Sequence, residues 1–478
     1  MESKPSRRAF LKGCLITAGG VGAAAVGTGA LVPLAAKTAV EFDDYTCYWG
    51  RDRTDRNPPL SESIDVDTAI IGGGYTGLSC AHYLSGALPN RTVVVLEGKT
   101  VGHGASGRNG GMLLPQPNTE YFRMASKPDI HKFSYDVTAE NVYEIESLMK
   151  RYGYSDDITI TGAVQTIAQP HQVEGYREYI REAQALGLPF DFWDAGKTAE
   201  MLGTAVYHGA MYDPHSAEVN PMGMVRALKA AAEDAGTTVF EESPVTNIVE
   251  EDDGTVSLYV GDGDIRVWAK SVVLATNGYT ANLGLFRNRV LPFHTQSAVT
   301  PPLDDDTFEK IGWRERTPFA DTNLFLYHLG TTQDNRILIG GGSVDYFFNG
   351  KVPYRGDLAA IQGMLENELH RIYPGLSDVG LEHVWDGVIG VSMDLTQSVG
   401  VTGKNKNIYY GLAYSGHGVN LSHLFGRIIA DMIAGDAKKW RRLPFVNRKF
   451  IPIPPEPFRF IGARGAFSLL HRWDESHR

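Results

Sequence analysis

Cysteine is scarce. The 478 residues contain three, Cys14, Cys47 and Cys80. None falls in a C-x-x-C pair or at zinc-ligand spacing, so neither a disulfide framework nor a thiolate metal site is expected. The spacing leaves a Cys47–Cys80 bond open; two free structural thiols are the simpler expectation. Positive charge is also short, with 45 Lys and Arg against 56 Asp and Glu and a formal net charge of −11. Phosphate backbones are met by clustered Lys and Arg, and no such stripe crosses the folded part, so nucleic acid is not an expected partner. A second G-x-G-x-x-G is missing too. Gly340-Gly341-Gly342 follows an apolar strand pattern but lacks the third glycine, so it reads as a turn and no NAD(P)H domain is expected. The remainder, 43% hydrophobic and 21% charged, is ordinary for a globular chain long enough for two or three domains.

The first 38 residues read as an address. Ser6-Arg7-Arg8-Ala9-Phe10-Leu11-Lys12 matches a twin-arginine export signal, and residues 13–36 carry no charge before Lys37. That stretch is long enough to cross a bilayer, but its many Gly and Ala residues make it a weak spanning helix. The expectation is a signal peptide read by the twin-arginine translocase, with a periplasmic or otherwise exported product; a retained N-terminal membrane anchor is the alternative. Cleavage near Ala35, Ala36 or Ala39 fits. Cys14 precedes the apolar stretch, which disfavours a lipoprotein. The route carries folded proteins, as a protein loaded with its cofactor in the cytoplasm requires.

What is abundant is glycine, 53 residues, several in tight clusters. Ile64–Ile71 reads as a buried strand, and Gly72-Gly73-Gly74-Tyr75-Thr76-Gly77 follows at once, opening a helix over 78–84. A second strand over 92–96 ends at Glu97, next to Gly98. Gly72 permits the tight turn, Gly74 lets a pyrophosphate approach the backbone, and Gly77 lets helix and strand pack closely. Free N–H groups and the helix dipole favour phosphate at the helix start, and Glu97 can accept from ribose hydroxyls. All the parts stand at the spacing of a dinucleotide site.

The next loop, Val101-Gly102-His103-Gly104-Ala105-Ser106-Gly107-Arg108-Asn109-Gly110-Gly111-Met112, is glycine-dense and polar where an NAD domain goes on to another βα unit. Its N–H groups, hydroxyl and guanidinium suit an extended, doubly charged cofactor. Further on stand Pro244-Val245-Thr246, the strand and turn Ser271-Val272-Val273-Leu274-Ala275-Thr276-Asn277-Gly278-Tyr279, and Tyr414-Ser415-Gly416-His417-Gly418-Val419, which opens a helix running to Ile433. With these motifs the sequence resembles the D-amino-acid oxidase/glycine oxidase group of flavoproteins, most of all its gamma-glutamylputrescine oxidoreductase branch. The resemblance spans about 65–435. It implies a glutathione-reductase-type FAD-binding Rossmann domain plus an α+β substrate domain with an antiparallel sheet. It places Ala105, Ser106 and Arg108 near the pyrophosphate and ribityl chain, Asn109, Gly110 and Gly111 near the isoalloxazine ring, Val245 at the adenine, and Ala275, Thr276 and Asn277 beside the nucleotide. Gly416, His417, Gly418 and Val419 would bring a helix N-terminus to the flavin pyrimidine edge. Relatives with a histidyl linkage carry the histidine where Asn109 stands here, and no cysteine lies beyond Cys80, so non-covalent FAD is expected.

On this basis residues 39–115, 216–290 and 385–445 form a discontinuous FAD-binding domain. Residues 116–215 and 291–384 form the substrate domain, rich in aromatics such as Tyr121, Phe122 and Trp193, and 446–478 form a tail. The implied activity is oxidation of the C–N bond of an amine or amino acid by hydride transfer to flavin N5, passing electrons to oxygen or a quinone-type acceptor, with a gamma-glutamyl amine favoured. The alternatives are a D-amino-acid or 2-hydroxy-acid dehydrogenase and, in another class, a non-catalytic flavin-binding module. Such chemistry needs orientation and a dry pocket more than an acid–base triad. Candidates for the pocket wall are Tyr327, His328, His294 and Trp385. Strand alternation puts Tyr327 and His328 on opposite faces, and a structural role is the simpler reading of His294. Arg336 suits a substrate carboxylate or a surface pair. The tail reads as a basic amphipathic helix, either on a membrane or docked on the body.

Overall fold

The structure, a computed structural model, describes residues 47–51, 56–116, 127–353 and 356–477. The signal segment, Tyr121 and Phe122 lie outside these residues. The fold is mixed α/β, built on two eight-stranded sheets. The first has a parallel centre. Ile64–Ile71 pairs in parallel with Val93–Leu96 on one side and Ile265–Leu274 on the other. Thr238–Phe240 and Ile408–Leu412 extend the parallel run at its two ends. Strands covered on both faces read as continuous apolar runs; Val-Val-Val-Leu at 93–96 is buried throughout.

Two helices fix the geometry on one face. Tyr75–Ala87 follows the glycine turn, and Gly418–Ala434 crosses it at Gly426. A Cβ on Gly426 would lie 2.6 Å from the backbone nitrogen of Cys80 and from the Cβ of Ser79. The crossing is therefore one of backbone against helix, and Ser79 Oγ locks it by donating to His423 O at 2.7 Å. The start of the second helix is thus held close to the glycine turn that opens the first.

The second sheet runs, in spatial order, through His383–Ser392, Val290–Val299, Ile337–Gly341, Tyr327–Thr331, Phe319–Asp321, Ala163–Thr166, Gly209–Asp213 and Asp191–Asp194. It is antiparallel except where Phe319–Asp321 meets Ala163–Thr166. The expected boundary at 384/385 needs correction. His383–Ser392 is one strand, paired with Val290–Val299 from Val290↔Ser392 to Val299↔His383, so the substrate sheet continues through Ser392. Its ladder of hydrogen bonds leaves no place for a boundary at its third residue.

Cys47 and Cys80 are both buried and are not joined in a disulfide; the Cys47 thiol donates to Gly107 O at 3.0 Å. The tail helix, Phe458–His477, docks on the body: Leu470 is buried, and Asp474 accepts hydrogen bonds from the backbone N–H groups of Leu324 (3.1 Å) and Phe325 (2.9 Å). No helix among the described residues is long and apolar enough to cross a membrane.

Candidate active site

Each glycine of the first turn answers to a neighbour. Gly72 has φ +105°, a region L side chains rarely adopt, and a Cβ there would lie 2.8 Å from Ala275 O. A Cβ on Gly77 would fall 1.9 Å from Gly72 O, so helix and strand could not close. A Cβ on Gly74 would meet Ser106 Oγ at 2.7 Å, and that hydroxyl accepts from the Tyr75 N–H at 3.0 Å. The two glycine loops are therefore one unit. Glu97, 9% exposed, ties them further: Oε2 accepts from the Gly73 N–H at 2.7 Å and Oε1 from the Lys99 N–H at 2.9 Å.

The second loop is held from below. Arg108 donates to His103 O (2.6 Å) and Asp386 O (3.1 Å), and the indole of Trp385 donates to Arg108 O at 2.9 Å. Asn109 acts as a staple: Nδ2 donates to Ala105 O and Ser106 O, and Oδ1 accepts from the Gly111 N–H at 2.9 Å. Gly111, at φ +74°, leaves no room for a side chain, because a Cβ would lie 2.3 Å from Val219 O.

These loops line a narrow groove of about 170 Å³. Its walls include Val245, Ala275, Thr276, Gly72, Gly74 and Glu97, and Asn109 and Gly416 stand at the side shared with a larger space. Asn277 closes the wall from behind, its Oδ1 accepting from the Ala413 N–H at 3.0 Å. Beyond Ala105, Asn109, Ile389, Gly416 and Val419, which face both spaces, the groove opens into a cavity of about 940 Å³. The three glycine-rich segments and the turn after Ile265–Leu274 all contribute to this groove, whereas Arg108, Gly110 and His417 line the larger cavity and Gly73, Gly77 and Gly111 line neither. Tyr414 was not singled out. Its hydroxyl lies 2.6 Å from Thr76 Oγ1, bracing the turn from the opposite segment, and burial pushes its pKa up. Its place inside the last glycine motif was the available signal.

The four pocket-wall candidates part company. On Val290–Val299 it is Leu291, Phe293, Thr295 and Ser297 that line the cavity, so His294 faces the other way. It is fully buried, with Nδ1 2.7 Å from Asp386 Oδ2, and is a structural residue rather than a pocket residue. Tyr327 likewise turns into the core behind the sheet. Trp385, 1% exposed, lies beneath the 105–108 loop it supports, stacked with Tyr48. Only His328 faces the cavity. Its ring sits between two glycines: a Cβ on Gly110 would lie 2.6 Å from Nε2, and one on Gly340 would lie 2.5 Å from Cε1. Burial pushes its pKa down to about 4, so the imidazole is neutral at pH 7. Arg336 pairs with Asp334 and Glu382 and donates to Thr300 O, away from the cavity.

The remaining wall is mostly apolar. Met112, Leu324, Phe325 and Ile389 contribute, and the tail helix adds Phe467 and Leu470. Phe467 packs edge-on against Phe293 and Phe325.

The comparisons with known proteins agree with this geometry. Residues 67–432 match the DAO model, FAD dependent oxidoreductase. The chain belongs to the DAO family of FAD-dependent oxidoreductases. A probable oxidoreductase, OrdL, of Haemophilus influenzae is 29% identical over 80% of this chain and 86% of its own. Gamma-glutamylputrescine oxidoreductase of Escherichia coli is 29% identical over 86% and 94%. Among solved structures, glycine oxidase from Geobacillus kaustophilus superposes with a TM-score of 0.68 at 20% identity, covering 81% of this chain and 99% of that one. L-proline dehydrogenase from P. horikoshii gives 0.66 at 20%, covering 85% and 99%. The protein is therefore an FAD-dependent oxidoreductase of the amine and amino-acid class. The glycine cradle, the two helix starts and the oriented Glu97 are chemically suited to hold FAD along the groove.

Proposed function

We propose that this protein oxidises the C–N bond of an amine, with a gamma-glutamyl amine the favoured substrate, and binds FAD without a covalent link. One observation carries the reading: the dinucleotide groove runs directly into a large, mainly apolar cavity through a shared wall at Asn109 and Gly416. The similarity to gamma-glutamylputrescine oxidoreductase over most of both chains supports the substrate class.

When bound, FAD supplies the two-electron acceptor for a hydride leaving the substrate carbon. The chain supplies the rest. Leu324, Phe325 and Phe467 exclude water and favour the neutral amine over its ammonium form. His328, neutral at pH 7, presents polar ring atoms without adding charge. The helix opening at Gly418 directs its positive dipole end toward the junction, where negative charge is stabilised. Oxygen or a quinone-type compound serves as electron acceptor.

The sequence of residues 6–12 supports export by the twin-arginine translocase. The outward face of the tail helix, with Ile461 64% and Leu469 59% exposed beside Arg464 and Arg472, supports a peripheral membrane contact. Substrate class is tested by steady-state assays of gamma-glutamyl amines against simple amines and D-amino acids. A D-amino acid turned over in preference to every amine overturns the reading. Cell fractionation tests the export, and co-sedimentation with anionic vesicles tests the tail.

A further inference from the structure

The floor of the cavity is one row of the second sheet. His328, Ala320, Gln165 and Met211 are successive cross-strand partners, and all face the cavity. Two residues along from Met211, on the same face, stands Asp213. Three strand spacings and two residues put its backbone about 16 Å from that of His328. It therefore stands across the cavity floor from His328.

Asp213 is 5% exposed and is a carboxylate without a cation. Oδ1 accepts from Tyr135 Oη (2.7 Å) and from the His215 N–H (3.1 Å). Oδ2 has no protein partner among the described residues, and no Lys or Arg among them pairs with the group. Its neighbours hold it in place: Tyr135 stacks edge-on against Phe190, and Tyr143 Oη meets His215 Nδ1 at 2.6 Å. A buried carboxylate is costly unless paired. Burial raises its pKa to about 6, so it is mostly ionised at pH 7.

We propose that Asp213 binds a second cationic group of the substrate, so that the preferred amine carries a distal ammonium at the end of the molecule remote from the carbon being oxidised. This rests on the amine-oxidation reading and narrows it. Diamines, polyamines and gamma-glutamyl amines bearing a free α-ammonium share that feature; monoamines lack it. The mainly apolar lining between His328 and Asp213, Ala320 and Met211 beside Gln165, matches an aliphatic spacer. Asp213 acts in binding and in placing the reacting carbon.

The test uses the FAD-loaded protein and a series of α,ω-diamines of increasing length, each with its monoamine of equal carbon count. For the wild type, kcat/KM should rise with diamine length to an optimum and exceed that of the matched monoamine. In Asp213→Asn, which keeps the shape and the hydrogen-bond acceptor, the ratio of diamine to monoamine kcat/KM should fall by about 10- to 100-fold, the loss of one charge-assisted hydrogen bond, chiefly through KM. An unchanged ratio overturns the proposal. Should the variant fail to fold or to hold FAD, the wild-type series decides alone: no dependence on length and no advantage over monoamines overturns it. Oxidation of monoamines with no such advantage sinks this inference and leaves the amine reading standing. Failure of every amine sinks the amine reading first.

Discussion

Gly110→Ala tests the placement of His328. Gly110 does not have positive φ, so alanine can adopt its backbone. On backbone grounds alone the change should stabilise the protein by about 0.4–1 kcal/mol, by restricting the unfolded chain. The structure predicts the opposite sign. The new Cβ would lie 2.6 Å from His328 Nε2, 2.7 Å from its Cδ2 and 3.3 Å from Leu338 Cδ2. Carbon contacts settle near 3.5–4.0 Å, so the ring must move by about 1 Å. It cannot retreat toward Gly340, where even a Cβ would be 2.5 Å from Cε1. The ring is forced into the cavity, at a cost of about 1–3 kcal/mol. Urea unfolding of the FAD-loaded protein measures this as a lower midpoint at unchanged slope. The displaced ring should also raise KM for the amine. In a His328→Ala background the methyl group has nothing to strike, and Gly110→Ala should become neutral or stabilising. The coupling between the two changes should be on the order of 1–3 kcal/mol. Stabilisation by Gly110→Ala in the wild type, or equal effects in both backgrounds, would refute the placement.

Other perturbations follow from the same contacts. Gly77→Ala, with its Cβ 1.9 Å from Gly72 O, should give a protein without bound flavin, read as loss of visible absorbance; a normal flavin content would contradict the turn geometry. Burial raises Glu218 from 4.5 to about 7, although Thr331 donates to it from N (2.7 Å) and Oγ1 (3.2 Å). Because the folded-state pKa is the higher one, its contribution is fully present below about pH 4.5 and is lost as pH rises through 7, about 3 kcal/mol in all. Glu218→Gln should therefore flatten the fall in stability between about pH 4 and 7.5 by that amount, and parallel pH profiles for the two proteins would refute it. Asp474→Ala leaves the N–H groups of Leu324 and Phe325 without their acceptor in a buried place. It should destabilise by about 1–3 kcal/mol and expose the tail to protease, and an unaltered digestion rate would count against the docking.

The nucleotide half was legible because its chemistry is local. A φ of +105° at Gly72 and the close approach at Gly77 can be met only by glycine, so the requirement is written into adjacent residues. Asn109 and Gly111 likewise act within their own loop. The substrate half was not legible, because its cavity is assembled across strands far apart in sequence. Period two correctly separates Tyr327 from His328, but it does not tell which of the two faces the cavity. That was decided by Gly110 and Gly340, which make room for one imidazole. His294 lost its candidacy to a partner 92 residues away, Asp386, and Trp385 to the loop it carries. The boundary at 384/385 failed for a related reason: strand pairing with Val290–Val299 continues past it, and pairing is a property of two segments. Asp213, an acid closing the mostly apolar strand Gly209–Asp213, carries no sequence signal of its burial or of its place facing the cavity.

The most direct measurement is an anaerobic titration of the purified FAD-loaded protein, followed through its visible spectrum. The account predicts a flavin band that bleaches on adding an amine, most readily a gamma-glutamyl amine or a diamine, and stays unchanged with 2-hydroxy acids. Readmitted air or an added quinone restores the band and so identifies the electron acceptor. A protein that carries flavin yet is reduced by no amine, or is reduced only by a 2-hydroxy acid, would contradict it.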